Sequence, residues 1–565
     1  MIRMALAFWL SAMALKAWLA SIFLIICTGL LVFLHVQLNT WQVGFYNHLQ
    51  QQSLPGFYQS LVQFASIGSV LVIASGWQTH FKMLLQLRWR QWLTTRFISL
   101  WLHNQAYFNM RFQVKAVDNP DQRISEDIRI FIRYSLELST GLLRHMITLF
   151  LFSTVLWRLS GETKLSVWTV DVTIPGYLVW FALLYSLVGT WLTMKIGHPL
   201  MLQNNVKQSN EADFRYGLVR IKEHAECIAL YKGEHWEQRN LLKSFANIIG
   251  TYLAMIRTTR NITWLSTTYS QLSTVFAFLI ASPGYFSNHL QLGQLFEIAG
   301  AYWYVHSALS YIIESFGEIA QWQAVKDRLE QFHTQLTKAP QPKFSGTILT
   351  SHDRLITKDI SIKSPAGHVL INKLTMEVTA GDSLLISGPS GCGKTTLLQT
   401  LAGIWPCFSG HIFFPAESGV LFLPQKPYFP LGTLRQAVLY PARNNSITGE
   451  KLAEVLHMCK LSTLLPLIDS ETDWTKNLSL GELQRLSIAR VIVHQPKWIF
   501  LDETTSCIDT NMEIEMYQLL KEKLSASSLI TIGHKDTLKA YHNRILELDG
   551  TGGWRFVELG RRYVK

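Results

Sequence analysis

The sequence predicts a two-part chain, six membrane-spanning helices followed by a cytoplasmic α/β domain, on three observations. Of 565 residues, 48% are apolar and only 16% are charged, against roughly 25% charged in an ordinary soluble protein. Six stretches are long and apolar enough to cross a bilayer. Beyond residue 340, short β-branched runs alternate with helical ones, as in α/β domains. The 19 Trp, 19 Tyr and 30 Phe exclude a disordered chain.

A spanning helix needs roughly 20 apolar residues, because its backbone polar groups must be satisfied within the segment. Residues 17–36, 57–79, 172–194 and 261–288 contain no charge, and the last ends in Pro283-Gly284. Residues 139–157 include Arg144, and 297–318 run between Glu297 and Glu318. Residues 4–15 follow Arg3 and could begin a signal peptide. Uninterrupted apolar sequence after Lys16, with no small-residue cleavage site, argues instead for a short interfacial helix leading into the first span.

The formal charge is +12, with 27 Lys+Arg against 18 Asp+Glu in residues 1–340 and 24 against 21 beyond. Nine of those basic residues fall in 80–137 and ten in 195–260, whereas 39–56 and 286–294 have none and 159–171 has only Lys164. Basic loops stay cytoplasmic, so both termini are predicted on that side. The charge is a topology signal, and the spans exclude a nucleic-acid ATPase, the other common reading of a basic chain. The two basic loops are too long for simple connections, which predicts helices continuing out of the membrane. The six cysteines have no C-x-x-C spacing and read as reduced thiols.

Residues 338–342 read as a linker by their prolines, dividing the chain into 1–340 and 341–565. In the second part the apolar run 383–387 leads into Gly388-Pro389-Ser390-Gly391-Cys392-Gly393-Lys394-Thr395, followed by a helical pattern that opens at Thr396. This is G-x-x-x-x-G-K-[ST] in its strand-loop-helix context. The glycines let backbone N–H groups close on the β-phosphate of ATP, Lys394 neutralises the β- and γ-phosphates, and the Thr395 hydroxyl ligates Mg²⁺. A second apolar run, 497–501, ends in Asp502-Glu503. There Asp502 can hold Mg²⁺ through water and Glu503 can polarise the attacking water. Alone, such a pair would be an ordinary strand terminus.

Between these lies Leu478-Ser479-Leu480-Gly481-Glu482-Leu483-Gln484-Arg485. It resembles the L-S-G-G-Q signature of the ATP-binding cassette (ABC) superfamily, with Leu480 replacing a glycine and Glu482 the glutamine. The same resemblance makes Gln425 the Q-loop glutamine beside the metal, Asp509 the D-loop aspartate and His534 the switch histidine at the γ-phosphate. The aromatic that stacks on adenine in the family has Ser364 at the corresponding place. In the membrane half, Asn39-Thr40-Trp41, residues 87–94, 118–124 and 211–215, and Ala308-Leu309-Ser310 resemble half-transporters related to peroxisomal fatty-acyl-CoA carriers. They also resemble bacterial uptake systems for cobalamin and antimicrobial peptides.

The resemblance implies an exporter-like (type IV) fold, ATP hydrolysis with Mg²⁺, and a bacterial inner membrane. Since one chain has one phosphate loop and one signature, it also implies a dimer, most simply of two copies, with ATP between them. The expected activity is transport of an amphiphilic or hydrophilic solute of peptide, cobalamin-like or fatty-acyl type, with import favoured. A membrane-bound ATPase that regulates a partner and a proton-coupled carrier modulated by ATP are the alternatives. Residues 121–123 and 211–213, in the long loops, are placed to transmit motion. Arg144, Tyr304, Tyr311 and Glu314 line a solute cavity or, equally, make buried helix–helix contacts. Glu297, Tyr304, Tyr311 and Glu318 share one helix face by heptad spacing, and His35, His289 and His306 read as interfacial residues. Alkylation of Cys392, inside the phosphate loop, is expected to block hydrolysis.

Overall fold

The computed structural model describes residues 6–11, 13–112, 119–160, 162–167, 170–286, 290–337, 346–351, 354–415, 419–442 and 447–559. The chain divides into two compact units, Met1–Asn104 with Val117–Thr337, and Gln105–Ala116 with Lys338–Lys565. The linker read at 338–342, His289 and Asp118 lie outside the described residues.

The first unit is built on long helices: α1 (Ala14–Gln50), α2 (Leu54–Leu102), α3 (Ile128–Ser160), α4 (Tyr177–Glu223), α5 (Glu234–Phe286), α6 (Leu292–Glu314) and α7 (Phe316–Thr337). Among the described residues, four helical stretches, containing α1, α2, α3 and α4, are long and apolar enough to cross a membrane. The windows 261–288 and 297–318 fall on α5 and across α6 and α7. Helices α2, α4 and α5 run far beyond their apolar windows, as the long loops predict.

Several boundaries differ from the sequence reading. The window 172–194 begins in a hairpin of β1 (Glu162–Val167) and β2 (Val170–Pro175), and α4 starts only after Gly176, whose φ is +67°. The β-branched Val172-Thr173-Ile174 before Pro175 favour extended backbone. Helix α6 ends at Glu314 and a turn at Ser315 starts α7, so Glu318 does not continue the heptad of Glu297. Helix α5 runs through Pro283-Gly284 to Phe286. Among the described residues of the window 4–15, Ala7–Leu10 form a 3₁₀ turn and α1 begins at Ala14, with Phe8 buried and stacked on Trp89 at 5.9 Å.

Polar contacts lock these helices together. Asn39 Nδ2 donates to the Glu297 carbonyl and Thr40 Oγ1 to Glu297 Oε1, each at 3.0 Å. Gly293 N donates to Asn47 Oδ1 at 3.0 Å, and neither Gly293 nor Gly300 leaves room for a Cβ against α1. Asp127, 2% exposed, pairs with Arg123 at 2.8 Å and takes a two-point contact from Arg328 on α7 at 2.9 and 3.0 Å. Helices α4 and α5 are joined by a stacked pair, Tyr185 and Tyr269, each hydroxyl donating to the other's carbonyl at 2.6 and 2.9 Å.

The second unit contains two large sheets, beside a two-residue antiparallel pairing of Gly432–Thr433 with Glu471–Thr472. One runs β3 (Gly346–Ser351), β7 (Phe408–Pro415), β4 (Arg354–Lys363), β5 (Val369–Thr379), antiparallel except for the β3–β7 pair. The other runs β12 (Trp554–Glu558), β11 (Arg544–Leu548), β6 (Ser383–Ser387), β10 (Ser528–Ile532), β9 (Trp498–Asp502), β8 (Val420–Leu423), parallel except for the β11–β12 edge. Strands β9 and β10 are buried along their full length, as expected for a parallel sheet covered on both faces. The helices that bear on the site are α8 (Lys394–Leu401), α9 (Leu480–His494) and α10 (Thr510–Lys523). Phe112, in the segment that belongs to this unit, sits edge-on to Trp405 at 5.3 Å.

Candidate nucleotide site

The site lies at the carboxyl ends of the parallel strands, where open α/β sheets bind ligands. Strand β6 ends at Ser387 and the loop to α8 brings in residues 388–393. Gly388 has φ +149°, and a Cβ there would meet the Leu548 carbonyl oxygen at 2.5 Å. Gly393 caps α8 at φ +98°. Both positions therefore require glycine. Lys394 is 8% exposed and its Nζ donates to the carbonyls of Gly388 and Pro389 at 2.9 Å each. Thr395 Oγ1 donates to Asp502 Oδ1 at 3.3 Å, which joins the phosphate loop to the end of β9. Burial pushes the Asp502 carboxyl up.

Glu503 follows directly, with φ +45°, a left-handed backbone that a glutamate rarely adopts. That geometry turns its carboxylate out of the strand. Gln425 Nε2 donates to Glu503 Oε2 at 2.8 Å, and His534 Nδ1 lies 3.7 Å from Glu503 Oε1. The residues singled out after three different strands, Gln425 after β8, Glu503 after β9 and His534 after β10, thus meet around one carboxylate.

Ser479 is the N-cap of α9. Its hydroxyl donates to Glu482 Oε2 at 2.7 Å, and its backbone N–H donates to the same oxygen at 2.9 Å. These hydrogen bonds hold the Glu482 carboxyl below the usual glutamate range. The substituted signature residue thus has a local role as a capping box. Gly481 passes close to the D-loop backbone, where a Cβ would lie 3.2 Å from the Cys507 carbonyl oxygen. Asp509 caps α10 by accepting from Met512 N at 2.9 Å. Ser390, Gly391, Cys392 and Thr396 lie on the loop and the first turn of α8. Ser364 forms the turn between β4 and β5, its hydroxyl accepting from His368 N at 3.2 Å.

Sequence reasoning missed two residues. Gln484, fully buried, donates to Ser506 Oγ at 3.2 Å and accepts from Cys507 N at 3.0 Å, fixing the D-loop to α9. Glu513, 2% exposed, accepts from Thr505 at 2.6 Å and lies 3.4 Å from Lys535 Nζ, next to His534. Their partners are 8 to 23 residues away, beyond any local spacing rule. Cys392 is only 4% exposed and packs into the core beneath the loop, unlike Cys227 and Cys507, which are exposed. N-Ethylmaleimide under native conditions is therefore expected to label Cys227 and Cys507 first, with Cys392 slow whether or not ATP is present. Peptide mass spectrometry checks this order, and equal labelling of Cys392 and Cys227 would refute the packing.

A phosphate loop, an acidic pair at a neighbouring strand end and a serine-capped signature helix, on a chain with membrane-length helices, define a cassette ATPase joined to a membrane domain. Residues 6–286 match the family model described as ABC transporter transmembrane region 2, and residues 371–506 match the one described as ABC transporter. The chain belongs to the ABC transporters, in the group of half-transporters that includes YddA and the D family. It is 34% identical over 538 residues to a Haemophilus influenzae protein described as an uncharacterized ABC transporter ATP-binding protein, covering 95% of this chain and 90% of that one. It is 33% identical to the Escherichia coli inner membrane ABC transporter ATP-binding protein YddA, over 89% of each chain. It is 26% identical to the human lysosomal cobalamin transporter ABCD4, over 96% of this chain and 94% of the relative. It is accordingly a membrane-spanning transporter chain that binds ATP and is an ATPase.

Proposed function

We propose that two copies of this chain form an importer in a bacterial inner membrane, moving an amphiphilic or hydrophilic solute of peptide, cobalamin-like or fatty-acyl type by alternating access. The observation that carries this reading is the convergence of Gln425 and His534 on Glu503, beside the Thr395–Asp502 contact. Residues 1–340 serve as a type IV membrane domain of six spans and 341–565 as the cytoplasmic ATPase domain, with both termini cytoplasmic. Import is favoured by the resemblance to uptake systems, and a relative named as a cobalamin transporter supports the solute class.

Residues 388–396 bind the phosphates through backbone N–H groups, Lys394 and the N-terminus of α8. The Thr395 hydroxyl and Asp502 carboxylate are hard oxygen donors that suit Mg²⁺, with Gln425 completing that side. Bound Mg²⁺ would neutralise charge on the β- and γ-phosphates. Glu503 takes a proton from the attacking water, Gln425 orients it, and His534 contacts the γ-phosphate. Ser479, Gly481, Glu482 and Asp509 of the second copy complete the sandwich. Closing it on ATP and opening it after hydrolysis is the two-state element.

Glu482 brings a negative charge to a helix N-terminus that must receive phosphate. Glu482→Gln keeps the cap and removes the charge, so apparent ATP affinity is expected to rise about threefold to tenfold. Nucleotide titration of the two forms measures it, and an unchanged or weaker affinity would count against this role for Ser479. The dimer is tested by pairing Ser390→Cys with Ser479→Cys in one chain. ATP should increase intermolecular cross-linking between copies, and cross-linking indifferent to ATP would contradict the sandwich.

A further inference from the structure

Arg144 lies within the third span, on α3, and is exposed on the membrane unit. Among the described residues no carboxylate pairs with it: nearby Glu137 pairs with Arg133, and Glu297 accepts from Thr40. A guanidinium at that depth needs water or an anion, not lipid tails.

The surroundings supply a site rather than a counter-charge. Arg144, His145 and Phe152 of α3, His35 of α1, and Trp303 and Tyr304 of α6 line a cavity of about 120 Å³, with no acidic side chain among its walls. That is room for several waters, hence for a carboxylate or phosphate group. Its polar groups are underused. His145 Nδ1 is buried with no hydrogen-bond partner, and the Tyr304 hydroxyl has none among the described residues. Packing nevertheless fixes both rings, His145 stacked on Tyr311 at 4.2 Å and Tyr304 on Phe152 at 4.1 Å. His35, also on this wall, is held by its Nδ1 contact to the Leu31 carbonyl at 2.6 Å. Half-exposed Trp303 offers an apolar surface beside the charged end.

We infer that this cavity is a head-group site for an anionic solute, Arg144 binding its carboxylate or phosphate with Tyr304 and His145 completing the contacts. The inference rests on the transport reading above and specifies the charge of what is carried. It sharpens the role expected for Arg144 and Tyr304, and it separates them from Tyr311, which donates to the Leu138 carbonyl at 3.3 Å, and from Glu314.

The test is equilibrium binding of ³²P-labelled dodecyl phosphate to the full chain in phosphatidylcholine nanodiscs without nucleotide, so that it is independent of ATP-driven transport. Saturable binding is expected, displaced by dodecanoate and not by dodecyltrimethylammonium. Arg144→Gln should weaken it at least tenfold, Arg144→Lys less than fivefold, and Tyr304→Phe about threefold to tenfold. Absence of saturable binding, or equal binding by Arg144→Gln, would overturn the inference. Should Arg144→Gln not fold, unaltered binding by both remaining variants would do so. Loss of binding when phosphatidylglycerol replaces a fifth of the lipid would show that the site holds a lipid head group, which also overturns the assignment to a solute.

Discussion

Glu503→Gln abolishes steady-state ATP hydrolysis, lowering kcat by at least about a hundredfold, the usual contribution of a positioned base, while ATP still binds. The amide keeps the size of the side chain but cannot accept the proton of the attacking water. The phosphate loop, with Lys394 held by the Gly388 and Pro389 carbonyls, is untouched by the change. The expected signature is thus a split: hydrolysis lost, nucleotide affinity within a few fold of the parent. Phosphate release and equilibrium nucleotide binding measure the two halves. Loss of both together would mean that the substitution had disturbed the loop and not removed the base.

The second large effect is expected far from the nucleotide, at Asp127. Among the described residues its carboxylate is the only one within ion-pair distance of Arg123 and Arg328, Glu126 acting on Arg328 from farther away. Removing it leaves two cations on the seam between α7 and the helical turn Arg123–Asp127 that precedes α3. Asp127→Ala is expected to destabilise the membrane unit by about 3 kcal/mol, at the low end for breaking a buried pair because Arg328 is a third exposed. A triple replacement of Asp127, Arg123 and Arg328 by Leu should recover most of that loss, because no charge remains to be solvated. Thermal unfolding of the full chain in detergent compares them. A triple variant no more stable than Asp127→Ala would show that packing rather than charge is what the cluster provides.

The nucleotide site was legible because it follows short strings: a glycine-rich loop after an apolar strand, an acidic pair after another, a serine three residues before a glutamate. Each string has a local physical reason, such as the positive φ at Gly388 and Gly393 or the cap at Ser479. What lay outside local reach depends on tertiary contact. Gln484 and Glu513 gave no signal because their partners come from other elements. The Asn39-Thr40 string proved to be a lock between α1 and α6, which no spacing rule connects to Glu297. Span boundaries were misread where a window average conceals a turn: hydropathy merges the β2 strand into α4 and carries α6 past the turn at Ser315. Likewise, Arg144 marked itself as unusual by composition alone, while its unpartnered neighbours became visible only once three helices were placed side by side.

On the proposed function, ATP hydrolysis at Glu503 drives a solute across the membrane. Uptake into reconstituted vesicles carrying the wild-type or the Glu503→Gln chain, with ATP on the side of the ATPase domain, tests it most directly. Accumulation against a gradient is expected that requires ATP, survives dissipation of the pH gradient and vanishes in Glu503→Gln. Accumulation that persists in Glu503→Gln and collapses with the pH gradient would contradict it.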